Sequence, residues 1–113
     1  MNAGERRVAR HYRLRGYRIL GTNVHVGGYE LDLIVRRGRL LIFVEVKERA
    51  TMAYGGPVAA VGPEKRRRVR HAARAWLTTN RVPRGLDVRL ELAAVLAGRV
   101  TRLSFPLEEE PRR

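Results

Sequence analysis

Two short runs, Glu30-Leu31-Asp32 and Glu45-Val46-Lys47, put three carboxylates and a lysine close together in the chain. Clustered oxygen ligands suit a hard divalent cation such as Mg²⁺ or Mn²⁺, which needs only one or two carboxylates plus water and phosphate oxygens. The chemistry that follows is metal-assisted phosphodiester cleavage, in which a bound water is acidified and attacks. Lys47 is placed to orient that water or stabilise developing charge. The charge balance suggests the substrate. There are 24 basic residues against 11 acidic ones, a net charge of +13. Such an excess attracts polyanions and makes binding salt-dependent through counterion release, so nucleic acid is the expected partner. Only Lys47 and Lys65 are lysines, and the other basic residues are arginine. Lysine is a compact point charge with a tunable pKa, so these two mark positions where arginine would not serve.

Three elements must position this set. Tyr29–Val35 alternates and reads as a strand, Leu40–Lys47 as the next, and Arg36-Arg37-Gly38-Arg39 as the turn between them. A two-residue turn at Arg37-Gly38 would pair Ile34 with Leu41, Asp32 with Phe43 and Glu30 with Glu45. Period two then places Glu30, Asp32, Ile34, Leu41, Phe43, Glu45 and Lys47 on one face. The other face, from Tyr29, Leu31, Leu33 and Val35 to Leu40, Ile42, Val44 and Val46, is wholly apolar and must be buried. In this register Asp32 sits diagonally from Glu45, at about 7–8 Å between backbones, within reach for converging carboxylates. Like charges so close raise a pKa and call for a cation. Two readings of the acidic end stand: a metal site, or a solvated edge paired with some of the many arginines.

Around this hairpin, Ala3–Arg15 reads as an amphipathic helix with Glu5, Val8, Ala9 and Tyr12 on one face, stopped by Gly16. Tyr17–Asn23 reads as a first strand, broken by Gly27-Gly28. Residues 48–62 read as a long loop. A second helix starts at Pro63 and runs to about Asn80. Strands follow over Leu86–Leu96 and Val100–Phe105. The expected fold is α/β, a mixed sheet flanked by helices in the order α-β-β-β-α-β-β. Residues 1–107 form one domain and 108–113 a charged tail.

The second helix carries Lys65, Arg66, Arg67, Arg68, Arg70 and Arg74, candidates for phosphate contacts that give affinity without reading sequence. Its apolar stripe is Val69, Ala72, Ala73, Trp76 and Leu77. Lys65, four residues before Val69, begins that stripe. It either reaches the carboxylates from above the sheet or snorkels from the helix end. Trp76 belongs with the core. His11, His25 and His71 show no metal spacing.

The absence of cysteine excludes disulfides, thiolate zinc sites and cysteine catalysis, and fits a reducing, cytoplasmic setting. No run of about 18 apolar residues is present to span a membrane, and Met1–Arg7 lacks the apolar segment of a secretory signal.

The run Glu30-Leu31-Asp32-Leu33-Ile34, the basic glycine turn and Phe43-Val44-Glu45-Val46-Lys47 resemble the PD-(D/E)XK nuclease signature. More closely, the chain resembles the YraN family of bacterial proteins. That likeness continues through Tyr54-Gly55-Gly56, Ala60-Val61, Lys65, Ala73–Leu77 and Arg89-Leu90-Glu91. It implies a restriction-endonuclease-like core, metal ligation by Asp32 and Glu45 with the Val46 carbonyl, and Lys47 as catalytic lysine. It also implies an outer, water-holding role for Glu5, similar to the first-helix glutamate of archaeal Holliday-junction resolvases, and a homodimer. Three positions depart from the family pattern: Tyr29 replaces a glycine, Glu48 a small polar residue, and Glu91 an aspartate. The expected function is a metal-dependent endonuclease acting on branched or structured DNA. The alternatives are a non-catalytic nucleic-acid-binding module and a protein-interaction module.

Overall fold

The computed structural model describes residues 1–48 and 62–107. The elements are α1 (Ala3–Leu14), β1 (Arg18–Val26), β2 (Tyr29–Arg37), β3 (Leu40–Lys47), α2 (Pro63–Thr79), β4 (Asp87–Leu96) and β5 (Arg99–Pro106). The five strands form one sheet in chain order. Neighbours are antiparallel except β3 and β4, which run parallel, with α2 lying in the connection between them. The expected α/β class and element order hold. The first strand runs three residues past Asn23, its expected end. The loop motifs at Tyr54-Gly55-Gly56 and Ala60-Val61, and the tail 108–113, lie outside the described residues.

Each helix forms for a local reason and covers one face of the sheet. The Asn2 side chain caps α1 by accepting the Glu5 N–H at 2.8 Å. Val8, Ala9 and Tyr12 then pack on Leu33, Val35, Ile42, Val44 and Ala93. Pro63 opens α2, where its missing N–H costs nothing. Val69, Ala72 and Ala73, with Trp76 and Leu77, pack on Leu31, Ile34, Leu41, Phe43 and Leu90. Trp76 meets Phe43 edge-on at 5.5 Å, as a core residue. No helix among the described residues is long and apolar enough to cross a membrane.

The central hairpin departs from the expected register. Arg37 pairs with Leu40, Ile34 with Phe43 and Leu33 with Val44, so the turn residues are Gly38-Arg39 and not Arg37-Gly38. The reason lies in backbone stereochemistry. Gly38 has φ +59°, the left-handed conformation that a primed turn needs at its first central position. The shift is two residues, so even positions of β2 still share a face with odd positions of β3. The pairing itself changes: the register carries Asp32, not Glu30, toward Glu45.

A second correction concerns the apolar face. Leu31 packs in the α2-side cluster together with Ile34, while Leu33 and Val35 face α1. Strict alternation forbids this, so the strand rotates at Asp32. Opposite it, Asn23 has φ +48°, and the β1–β2 pairing runs Thr22↔Leu33 and Val24↔Leu31 without an Asn23↔Asp32 pair. The register is the same on either side of that level, and the β1–β2 irregularity lies further back, between Ile19 and Gly21.

Candidate functional site

Asp32 lies at the end of the sheet where α1 and α2 begin. Its Oδ2 accepts the Val46 N–H at 2.8 Å, beyond the last β2–β3 pair, so the side chain stands in for a ladder bond. Glu45, half-buried on β3, points toward α2 and meets Lys65 Nζ at 2.9 Å. Glu5 arrives from the first turn of α1. Asn23 Nδ2 donates to Glu5 Oε2 at 2.9 Å and to Glu30 Oε1 at 2.8 Å, tying helix, β1 and β2 together. A pocket of about 170 Å³ opens beside these groups, lined by Tyr29, Glu30, Glu45, Lys65, Arg68 and Val69.

The electrostatics follow from this crowding. Burial and then the charge of Glu45 push the Asp32 acid up to about 7, with smaller contributions from Glu5 and Glu30. The Val46 N–H works in the opposite direction and loses. Near neutral pH, Asp32 is poised between its protonated and ionised forms, which is unusual for a carboxyl group.

Glu45, Glu5 and Glu30 are therefore close enough to Asp32 to act on its charge. Lys65 reaches the carboxylates from above the sheet, the first of its two readings. Lys47 follows two residues after Glu45 on β3 with an exposed side chain, and among the described residues no ion pair links it to the carboxylates. Val46 takes part through its N–H, where the resemblance implied its carbonyl. Glu48 lies against Gly4 at the start of α1, where a side chain at position 4 would collide with its carboxyl. The negative charge of Glu48 thus sits at a helix N-terminus, where it is favoured.

On α2, Arg67 and Arg68 are exposed and bond Glu64 at 2.8 and 3.4 Å. Arg66 is half-buried, with its Nε unpartnered among the described residues. Arg70 corrects the expectation of a surface phosphate contact. It is only 7% exposed, and its guanidinium donates to the Pro106 carbonyl at 3.3 Å. The reason is helical period: Arg70 follows Val69 directly and falls beside the apolar stripe. The structure gives Arg74 an exposed position on the same helix.

Two features were missed in the sequence. Asn23 is one, and its signal is weak: a single asparagine in a strand, a residue type that tolerates the left-handed conformation. The other is the set of partners of Glu91, a residue the resemblance singled out without a role, which is 5% exposed on β4. Glu91 accepts from Tyr12 Oη at 2.6 Å and from Arg102 Nε and Nη2 at 2.8 and 3.1 Å. Arg102 in turn lies over the Tyr12 ring at 4.6 Å. Burial, then the bond to Glu91, pushes the Tyr12 phenol well above its ordinary range. This network fastens α1 to β4 and β5, and so fixes the helix that carries Glu5.

As for metals, among the described residues no three His, Asp or Glu side chains stand ready-made around a common point. The donor chemistry nonetheless fits a hard cation: Asp32 and Glu45 offer half-buried oxygen ligands, and burial and then the Glu45 charge hold the Asp32 acid up. Asp32 and Glu45 are the groups that would hold such an ion.

The class defined by these elements is an α/β protein whose described residues form a five-stranded mixed sheet between two helices, in an order compatible with restriction-endonuclease-like folds. Residues 4–95 match the Uncharacterised protein family UPF0102, and the chain belongs to that family. Its relatives include the UPF0102 protein of Methylorubrum populi, 44% identical over 82% of this chain and 72% of the relative. The UPF0102 protein of Alkalilimnicola ehrlichii is 37% identical over 80% and 72%, and that of Chlorobium limicola 40% identical over 83% and 72%.

Proposed function

We propose that this chain is a nucleic-acid-binding protein whose carboxylate cluster serves metal-dependent phosphodiester hydrolysis, on branched or structured DNA. One observation carries the reading. Asp32, raised to about 7 by burial and by Glu45, lies among three further carboxylates at the foot of a basic helix. A fold gains no stability from crowding acids in this way. A cation and a substrate do gain a site.

A hard divalent ion, when bound, supplies polarisation of the scissile phosphate and acidification of a water. The chain's residues have separate tasks. Asp32 and Glu45 provide oxygen ligands, and the Val46 N–H orients the Asp32 carboxylate. Glu5, held by Asn23, orients water at the outer edge. Lys65 restrains Glu45 and adds positive charge where a phosphate would arrive. Lys47, exposed at the end of β3, is free to swing toward a bound strand. Arg66, Arg67, Arg68 and Arg74 contact backbone phosphates.

The test is incubation with Mg²⁺ or Mn²⁺ and a panel of single-stranded, duplex, flap and four-way DNA, with RNA included. Cleavage of at least one substrate, reduced at least about 100-fold in Asp32→Asn, is the expected result. No cleavage, or cleavage indifferent to Asp32→Asn, contradicts it. The Lys65–Glu45 ion pair favours a second reading, a binding module that neutralises its acid with its own lysine. That reading predicts salt-dependent DNA binding with no response to metal or to Asp32→Asn.

A further inference from the structure

The far end of β2 is as basic as its near end is acidic. There, a concave pocket of about 370 Å³ is lined by Gly16, Arg18, Leu20, Arg36, Arg37 and Gly38. Three guanidinium groups line it and no carboxylate does. Among the described residues, none of the three has an ion-pair partner, although Glu64, Asp87 and Glu91 each hold an arginine elsewhere.

Two of the three are held in place by contacts that leave donors over. Arg37 lies over the Tyr17 ring at 4.5 Å and donates through Nη1 to the Arg15 carbonyl at 2.8 Å. Arg36 donates through Nε to the Gly38 carbonyl at 2.9 Å. A guanidinium has five N–H donors, so each keeps a free edge for an anion. The Arg15 carbonyl belongs to the C-terminal end of α1, which would repel an anion. Arg37 covers it, and three full charges outweigh a helix end worth about half a charge. Arg18 is exposed and completes the rim.

We propose that this pocket is a phosphate-binding site for a nucleic-acid strand, separate from the carboxylate cluster. Its ligand is a backbone phosphodiester, the anion a planar guanidinium fork matches best. The inference deepens the nucleic-acid reading above and rests on it for the class of ligand. It adds a dimension. Asp32 stands four to five residues along β2 from Arg36 and Arg37, about 13–17 Å at the rise of a strand. Along a duplex axis, at about 3.4 Å per nucleotide of each strand, that distance is roughly four to five nucleotides.

The experiment measures binding of a fluorescent twelve-residue oligo-dT by anisotropy across a salt series, without metal. The unaltered chain is compared with Arg18→Ala/Arg36→Ala and with Arg10→Ala/Arg99→Ala, which removes equal charge outside the pocket. The pocket variant is expected to weaken binding about tenfold at low salt and to flatten the log–log salt slope by about 1.4, two single-strand contacts. The control should lose less than threefold. Because Arg36 also braces the turn, Arg18→Glu serves as a second variant at an exposed side chain, with a loss of similar size expected. Equal losses in pocket and control variants, or no loss in either pocket variant, overturn the proposal. The readout needs neither metal nor cleavage. A failed cleavage assay with the expected binding loss refutes only the nuclease reading. Cleavage with an indifferent pocket refutes only this site.

Discussion

Glu91 and Asp32 lie in the same sheet, both withdrawn from water, and they are treated in opposite ways. Glu91 is met by a phenol and a guanidinium, with both its oxygens bonded. Asp32 receives one backbone N–H and faces Glu45, Glu5 and Glu30. The first arrangement satisfies a buried charge and ties α1 to the sheet. The second leaves a half-buried carboxyl group among like charges, which holds its acid up. A carboxylate that holds a fold together is given partners within the chain, whereas one that works on something else is left short of them.

The largest effect that could break this contrast is at Glu91. Replacing it with Gln strips the charge from beneath Arg102 and should cost on the order of 2–4 kcal/mol, discounted because Arg102 keeps some exposure. Urea denaturation checks this, and a loss under about 1 kcal/mol would mean the network is not structural.

The opposite sign is expected at Asp32. Its folded-state pKa lies near 7, above the 3.8 of an ordinary aspartate. Between those values the folded chain binds the extra proton, so stability falls as pH rises through the window, and the full penalty applies above 7. Asp32→Asn escapes it. The variant should gain about 1–2 kcal/mol at pH 8, after allowance for solvent screening, and nothing at pH 4. Melting temperatures at the two pH values decide it. A variant less stable at pH 8 would make Asp32 a structural residue like Glu91.

The smallest effect is at Lys65, whose ion pair is partly open to solvent. Lys65→Ala should cost under about 1 kcal/mol at pH 8. It should also move the Asp32 titration upward, because Glu45 loses its partner, and NMR of the Asp32 side chain would follow that. A downward movement would show that the lysine is not what tempers the cluster.

How much of this was legible in the sequence depends on how far each feature reaches. The buried faces of α1 and α2 were readable because periodicity is local: Val8, Ala9 and Tyr12, and Val69, Ala72 and Ala73, emerge where spacing puts them. The nearness of Asp32 and Glu45 was foreseen for a partly mistaken reason. The turn lies one residue later than expected, at Gly38-Arg39, and the two-residue shift in register brings Asp32 nearer to Glu45 than the expected pairing did. The turn at Arg36–Arg39 offered one glycine and two placements, and hydrophobic alternation fits both. The parting of Leu31 from Leu33 was invisible, since alternation puts both on one face. Glu91, Tyr12 and Arg102 come from three elements that only the folded sheet brings together. Arg70 misled because charge suggests a surface, while its guanidinium in fact finds a carbonyl of β5.

The central claim is that Asp32 lacks a cation the chain does not itself provide. Calorimetric titration with Mn²⁺ at pH 6.5, in two buffers of different ionisation enthalpy, tests it most directly. With an acid near pKa 7, the account predicts saturable binding that releases roughly one proton, with both binding and release lost in Asp32→Asn. Absent binding, or equal binding by the variant with no proton released in either, would contradict it.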